Sequence, residues 1–391
     1  MRREKLIVIS SVLIDVIGFG IVIPILPFYA SEFGASPLVI TLMFATFSFF
    51  AFLSSPLLGA LSDRIGRRPV MILSITSTAI GWFVFASAHS LWLLFLGRAI
   101  DGSAAGNFTT AQSYMVDIAK DEKERTANLG IIGAAFGVGF LLGPMIGGAL
   151  SKVSHSVPFW FAGAMAAVNA VLAFFLLPET HHKRDGYKPM SFNPLAPLVR
   201  AARNEKLRPL YFTWSFFAFA LVTSQSVFAL FVRDVFGFSA FQTGMAFTIV
   251  GAVVVLNQGF LLRNVWLARY SESALEVVML LVLFAGLLCI ASELLLLFYV
   301  GLLGLGTGQA VLRVVITSQA SGATDPSKKG ETIGILSALM SAYMIVAPVL
   351  SGYLYELNHV VPYLASAVLL LVGVYFALRF RRIAAATVPV S

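Results

Sequence analysis

Long apolar runs recur along the whole chain, and they constrain its fold more than any other feature. Each run has roughly the 20 residues that a helix needs to cross a bilayer, and charged residues make up only 12% of the 391 residues. The runs are continuous rather than alternating, which excludes a transmembrane β-barrel. The sequence therefore predicts an all-α membrane protein with twelve transmembrane helices, at residues 6–30, 37–58, 70–88, 91–116, 127–151, 157–177, 209–232, 240–262, 274–291, 294–320, 331–355 and 361–378.

Lys and Arg residues predict the orientation of these spans. Of 27 such residues, 23 lie at the two termini or in the loops that follow even-numbered spans. Because cytoplasmic loops carry the excess of Lys and Arg, we expect a multi-pass protein of the cell (inner) membrane with both termini in the cytoplasm. The net charge of +8 then reflects orientation, and no nucleic-acid partner is expected.

The sequence predicts two halves of six helices each. Gly143-Pro144 and Gly147-Gly148 in span five correspond to Ala347-Pro348 and Ser351-Gly352 in span eleven, 204 residues later. A repeat of this kind is typical of duplicated transporter folds. We predict an N-terminal half at 1–178, a cytoplasmic linker at 179–207 and a C-terminal half at 208–391. Binding of anionic membrane lipid by the basic residues of 179–207 is an alternative role for this segment.

The loop between spans two and three has an unusual composition. Asp63 is able to pair with Arg67 or to interact with the N-terminus of the next helix, and Gly66 permits a tight turn. A loop that only orients the protein in the membrane needs Lys or Arg, which explains the arginines but not the glycines and Asp63. The spacing of the whole set therefore favours a defined turn motif, formed by Gly59, Asp63, Arg64, Gly66 and Arg67.

Few ionisable residues lie inside the predicted spans, where they are costly and usually functional. Asp15 lies roughly 15 Å along span one, and Arg98 and Asp101 share one face of span four. Two acids facing one base leave a carboxyl that is able to carry a proton, so we predict proton coupling at Asp15, Arg98 and Asp101. A purely structural buried ion pair is the alternative.

Glycine and amide residues suggest two further sites. Gly139, Gly143 and Gly147 recur every four residues, which lets a second helix approach closely, and Pro144 is expected to bend the helix; Gly148 completes the set. Amides inside the spans predict a substrate cavity with apolar walls, in which Arg313 would meet an anionic group. The candidates are Asn107, Gln112, Gln225, Asn257, Gln258, Gln309 and Arg313. No cofactor, metal or nucleotide site is predicted.

These stretches together resemble the major facilitator superfamily, in particular its twelve-span drug:proton antiporters of the tetracycline-efflux type. The resemblance rests on Asp15–Pro27, Gly59–Arg68, Leu96–Gly102 and Gly139–Gly148. It implies a cytoplasmic latch that contains Asp63 and Arg67, a role for Arg98 in proton coupling, and an antiporter hinge at Gly139, Gly143, Pro144, Gly147 and Gly148.

The predicted function is proton-coupled export of a lipophilic or amphipathic small molecule by alternating access, as in multidrug efflux. We expect a non-enzymatic monomer whose partners are its substrate, protons and membrane lipid. Transport of a sugar, an organic anion or a lipid on the same fold is one alternative, and a non-transporting sensor or scaffold is another.

Overall fold

The computed structural model describes residues 3–180, 196–325 and 328–386, and helices dominate all three stretches. The predicted all-α class is confirmed. The part of the predicted linker at 181–195 lies outside the described residues. The helices are α1 (Arg3–Ser31), α2 (Pro37–Ile65), α3 (Arg67–Ala86), α4 (Leu91–Ser103), α5 (Asn107–Asp117), α6 (Glu122–Leu150), α7 (Val157–Leu176), α8 (Ala196–Arg203), α9 (Arg208–Phe236), α10 (Ala240–Leu256), α11 (Leu267–Arg269), α12 (Glu272–Ala291), α13 (Leu295–Gly322), α14 (Lys329–Leu357) and α15 (Val361–Ala386).

Local signals in the sequence set several helix starts. The Ser36 hydroxyl caps α2 by accepting a hydrogen bond from the Val39 amide, and Pro37 is the first helical residue, a position at which no amide hydrogen is needed. The Asp121 carboxylate caps α6 in the same way. These caps satisfy backbone donors that would otherwise lack partners at the helix ends.

Eleven helices among the described residues are long and apolar enough to cross a membrane. The fourth predicted span, 91–116, is the exception, because it is not one helix but α4 and α5 separated by a turn at 104–106. An added Cβ at Gly102 or at Gly106 would lie 2.5 Å from an atom of α2. The backbone of the fourth span therefore packs closely against α2 at both of these glycines.

A second irregularity follows α10, within the predicted eighth span. A ten-residue π-helix, Asn257–Trp266, continues α10 and leads into α11. The Asn257 amide donates to the Val253 carbonyl oxygen at 2.9 Å, and its Oδ1 accepts from the Trp266 indole nitrogen at 2.9 Å. The side chain of Asn257 therefore connects the last turn of α10 to the far end of the π-helix. Such insertions occur frequently at functional sites.

The described residues form two compact units. The first contains the described part of residues 1–192 together with 238–248, and the second contains the described part of 193–237 and 249–391. In each unit the corresponding positions of the repeat are buried: Gly143, Pro144, Gly147 and Gly148 in the first, and Ala347, Pro348, Ser351 and Gly352 in the second.

Within the second unit, a short helix occupies part of the predicted linker. Helix α8 packs against α14, and the Arg200 guanidinium lies 3.3 Å from the Glu331 carboxylate. Both side chains are well exposed, so this ion pair contributes little stability. The sequence pattern alone did not indicate this helix.

Candidate functional site

The first unit contains a fully buried arginine, Arg98. The Arg98 side chain is 1% exposed, and its Nη1 donates to the Asp101 Oδ2 at 3.0 Å. Its guanidinium carbon lies 4.3 Å from the centroid of the Phe47 ring and 5.6 Å from that of Trp82. Aromatic faces attract a cation, so two rings and one carboxylate together hold the charge of Arg98 inside the span.

The second predicted acid has a different partner. The Asp15 Oδ2 accepts a short hydrogen bond from the Asn107 amide, and Asp15 has no ion pair among the described residues. The expected pairing of Arg98 with both carboxyls is therefore found for Asp101 only. Asn107, which was predicted to line the substrate cavity, is the direct partner of Asp15.

The break in the fourth span separates these two carboxyl sites. Asp101 lies on α4, whereas Asn107, the partner of Asp15, is the first residue of α5. The Ser54 hydroxyl of α2 donates to the Gly102 carbonyl oxygen at 2.8 Å, and the Ser55 hydroxyl donates to that of Ala105 at 3.2 Å. These bonds supply donors to carbonyls that an uninterrupted helix would satisfy itself.

The loop between α2 and α3 forms the ion pair that its spacing predicted. The Arg67 guanidinium bonds the Asp63 carboxylate four residues earlier, and Gly66 has φ +105°, a region that favours glycine. Arg67 also donates to the Asp117 carboxylate at 3.0 Å. The sequence analysis missed Asp117, which lies at the end of α5, 50 residues away.

The N-terminus of α3 is occupied by Glu179 rather than by Asp63. The amides of Arg67 and Arg68 donate to the two oxygens of the Glu179 carboxylate, at 2.9 and 3.1 Å. A carboxylate at this position satisfies orphan donors and interacts favourably with the helix dipole. The only sequence signal was an acid that follows Pro178 directly after span six. Of the other loop candidates, Arg64 belongs to the last turn of α2, and an added Cβ at Gly59 would meet open space.

The glycine face of α6 packs directly on α1. An added Cβ at Gly143 would lie 2.8 Å from the Gly20 Cα, and one at Gly139 would lie 2.9 Å from the Val16 Cβ. Close approach of a second helix, as the four-residue spacing predicted, is therefore present. Gly147 also faces α1, while Gly148 faces Phe241 at the start of α10.

The remaining amides of the predicted cavity belong to both units. Gln112 lines a cavity of about 430 Å³ in the first unit, together with Arg67, Asp117 and Arg125. In the second unit, the Gln225 amide donates to Gln309 at 3.3 Å, and that of Gln258 donates to the Ala310 carbonyl oxygen at 3.3 Å. The Asn257 amide also lies 3.3 Å from the Thr307 hydroxyl.

Arg313 on α13 differs from Arg98 in its surroundings. Its side chain is exposed, and none of the described acids forms an ion pair with it. A single guanidinium of this kind within an apolar span is unusual, because unpaired charge in a membrane is expensive.

The described residues combine eleven helices of membrane-spanning length, a buried arginine–carboxylate pair and a Gly-Asp-Arg loop. These features define a class of polytopic membrane protein with an ionisable site in its first half. The sequence model of the Major Facilitator Superfamily matches residues 8–270. The chain belongs to this superfamily.

Two resistance proteins and one solved structure are similar to this chain over nearly its whole length. The tetracycline resistance protein, class C, of Escherichia coli is 29% identical over 369 residues, which cover 90% of each chain. The quinolone resistance protein NorA of Staphylococcus aureus is 26% identical over 97% of this chain and 96% of its own. The structure of the human organic anion transporter MFSD10 (TETRAN) matches with a TM-score of 0.70 and 26% identity, over 96% of this chain and 99% of its own.

Proposed function

We propose that the protein is a proton-coupled exporter of a lipophilic or amphipathic small molecule, located in the cell (inner) membrane. The buried Arg98–Asp101 pair, with Asp15 nearby and bonded to Asn107, is the observation that carries this proposal. Resemblance to a tetracycline and a quinolone resistance protein supports export of drug-like compounds. Both termini lie in the cytoplasm, as the distribution of Lys and Arg predicts, and the protein acts as a monomer in this proposal.

The chemistry of coupling follows from the geometry. A proton on Asp101 removes the negative charge that faces Arg98, which weakens the pair and changes the relative energies of two conformations. Asp15 belongs to α1 and is connected through Asn107 to α5, so its protonation acts on the other side of the break in the fourth span. Alternating access would convert these changes into transport.

Reconstituted transport tests the proposal. Liposomes that contain the purified protein, a pH indicator and an imposed pH gradient are supplied with tetracycline, norfloxacin or ethidium. We expect proton movement coupled to flux of at least one compound in the wild type, and its loss in Asp15→Asn and Asp101→Asn. Arg98→Ala is expected to lose coupled proton movement as well and to be less stable than the aspartate variants, because it leaves the buried Asp101 carboxyl without its cation.

Glu122→Gln, an exposed change on α6, is the matched control and is expected to keep full coupling. Thermal unfolding of each variant shows whether it is folded. Normal coupled flux in both folded aspartate variants would place the proton site elsewhere and return Arg98 to a structural role.

A second candidate function is export of an organic anion. Arg313 favours it, because its exposed guanidinium has no acid partner among the described residues, and the human transporter that matches in structure is an organic anion transporter. Flux of carboxyfluorescein in the same liposomes, lost in Arg313→Gln and kept in Glu122→Gln, would support this alternative. Equal flux of carboxyfluorescein in wild type and Arg313→Gln would exclude Arg313 as a binding residue for the anion.

A further inference from the structure

Three polar side chains without protein partners line one cavity of the first unit. The cavity has a volume of about 430 Å³ and is lined by Arg67, Thr109, Gln112, Ser113, Val116, Asp117, Arg125 and Leu129. Among the described residues, nothing forms a hydrogen bond or an ion pair with the side chains of Gln112, Ser113 and Arg125. Small-molecule sites have volumes of this size, so the cavity combines room for a ligand with hydrogen-bonding groups that the protein does not use itself.

The helices give this cavity both a polar and an apolar surface. The lining residues of α5 are three or four residues apart and therefore share one face of that helix: Thr109, Gln112, Ser113 and Val116. Arg125 and Leu129, four residues apart, provide the wall on α6. Val116 and Leu129 are apolar, whereas the other residues on these two faces carry donors. An amphipathic ligand matches this composition.

The charges of the lining leave one cation in excess. Arg67 binds the carboxylates of Asp63 and Asp117, so its charge is balanced within the protein. The Arg125 side chain is exposed and forms no ion pair with any acid among the described residues. A guanidinium has five N–H donors and no acceptor. Its geometric complement is a carboxylate, which it binds through two parallel hydrogen bonds.

Asp117 limits the charge that a ligand is able to carry. Its carboxylate belongs to the wall of the cavity and lies 3.0 Å from the Arg67 guanidinium. A single negative charge on the ligand gains the attraction of Arg125, whereas a second one would be repelled by Asp117. The lining therefore favours a monoanion. Arg313, the other unpaired arginine described above, belongs to the second unit and is not part of this cavity.

We propose that this cavity is a subsite for an amphipathic monoanion, such as an aromatic carboxylate, on the cytoplasmic side of the first half. The subsite rests on the proposed exporter function, which it deepens by naming a substrate class. Arg125 and Gln112 donate to the carboxylate, while the aromatic body packs on Val116 and Leu129. The distribution of Lys and Arg predicts that the loops after the second and fourth spans are cytoplasmic, and an exporter takes up its substrate from that side.

Two ligands that differ in charge test the subsite. Binding of 1-naphthylacetate and of neutral 1-naphthylacetamide to the purified full chain is measured by calorimetry at mildly alkaline pH. We expect the wild type to bind the carboxylate about tenfold more tightly, because hydrogen bonds between charged groups are stronger than neutral ones. Arg125→Gln is expected to abolish this preference. Lys123→Gln removes an equal charge from an exposed position of the same helix, outside the cavity, and is expected to keep it.

Two further measurements strengthen this test. Gln112→Leu removes the second donor and is expected to weaken binding of the carboxylate. In the wild type alone, 1-naphthyl phosphate, which carries two negative charges at this pH, is expected to bind less tightly than 1-naphthylacetate. Thermal unfolding shows whether each variant is folded. Equal affinity of the wild type for the carboxylate and the amide, or a preference that survives in folded Arg125→Gln, would overturn the subsite.

An anionic lipid headgroup is another source of the same chemistry. In nanodiscs of phosphatidylcholine, the preference for 1-naphthylacetate should persist, and replacement of part of that lipid by phosphatidylglycerol should not change it. Loss of binding only when phosphatidylglycerol is present would assign the cavity to lipid and overturn the substrate subsite.

Proton-coupled flux of ethidium separates the subsite from the exporter function on which it rests. Ethidium has no anionic group, so its flux in liposomes should be equal in Arg125→Gln and Lys123→Gln. Loss of this flux in Arg125→Gln alone would give Arg125 a general role in transport and overturn the subsite. Failure of the binding test with ethidium flux intact would overturn the subsite and leave the exporter function standing.

Discussion

At the scale of single residues, Arg67 connects three parts of the first half. Its guanidinium bonds Asp63 and Ser62 at the end of α2 and Asp117 at the end of α5, while its backbone amide bonds Glu179. Its side chain is only about one-tenth exposed, so these charged hydrogen bonds are stronger than those of a typical surface pair.

The Asp63–Arg67 pair yields a prediction about transport. Asp63→Asn removes one charge from a site at the end of α2, where the carboxylate itself is more than half exposed. We expect near-normal insertion and thermal stability but clearly reduced transport, because the variant weakens an interaction that the resemblance assigns to one conformational state. Full flux of the reconstituted variant, relative to Glu122→Gln, would show that the pair is not a latch.

Only part of this network was predictable. Asp63 and Arg67 lie four residues apart at a helix end, so their pairing follows from helix geometry. Asp117 and Glu179 lie 50 and 112 residues from Arg67, and no local pattern connects them to it. Likewise, the spacing of Arg98 and Asp101 predicted their pairing, but Asn107 as the partner of Asp15 depends on tertiary packing.

At the scale of elements, the packing of α6 on α1 depends on the absence of side chains. Gly143→Ala places a Cβ 2.8 Å from the Gly20 Cα, which forces the two backbones apart. Overpacking of this kind destabilises proteins by about 1–3 kcal/mol. Gly137 lies on the same helix, and an added Cβ there meets nothing within 4 Å.

We therefore expect opposite effects from two identical substitutions. Gly143→Ala should lower the midpoint of thermal unfolding in detergent. Gly137→Ala should leave it unchanged or raise it, because alanine favours a helix over glycine by about 1 kcal/mol. Similar midpoints for the two variants would contradict the close packing of α1 on α6.

The span boundaries show where the sequence was informative about elements. Eleven spans were identified by length and hydropathy, because the bilayer requires both. The break at 104–106 was not predicted, since its residues are small and apolar, and the hydroxyls of Ser54 and Ser55 that stabilise it come from α2. The π-helix after α10 has no signal that hydropathy detects.

At the scale of the whole molecule, the boundary between the two compact units at residues 192 and 193 suggests where the chain tolerates a cut. Co-expressed fragments 1–180 and 196–391 keep every described residue of the first 180, including Glu179. We expect this pair to support efflux of ethidium from cells, and a pair in which the first fragment ends at Leu176 to support less, because α3 loses the carboxylate at its start. Equal efflux by both pairs, at equal expression, would show that Glu179 is dispensable.

The bond between Glu179 and the start of α3 also orders events during synthesis. The two amides of α3 that bind this carboxylate are made 112 and 111 residues before it. At typical elongation rates, roughly 6–22 s separate them on the ribosome. Throughout that interval the nascent α3 lacks the Glu179 carboxylate as an acceptor, so the contact at its N-terminus is completed only when the sixth predicted span has been made. Folding of this half is therefore completed only after its last segment has been made.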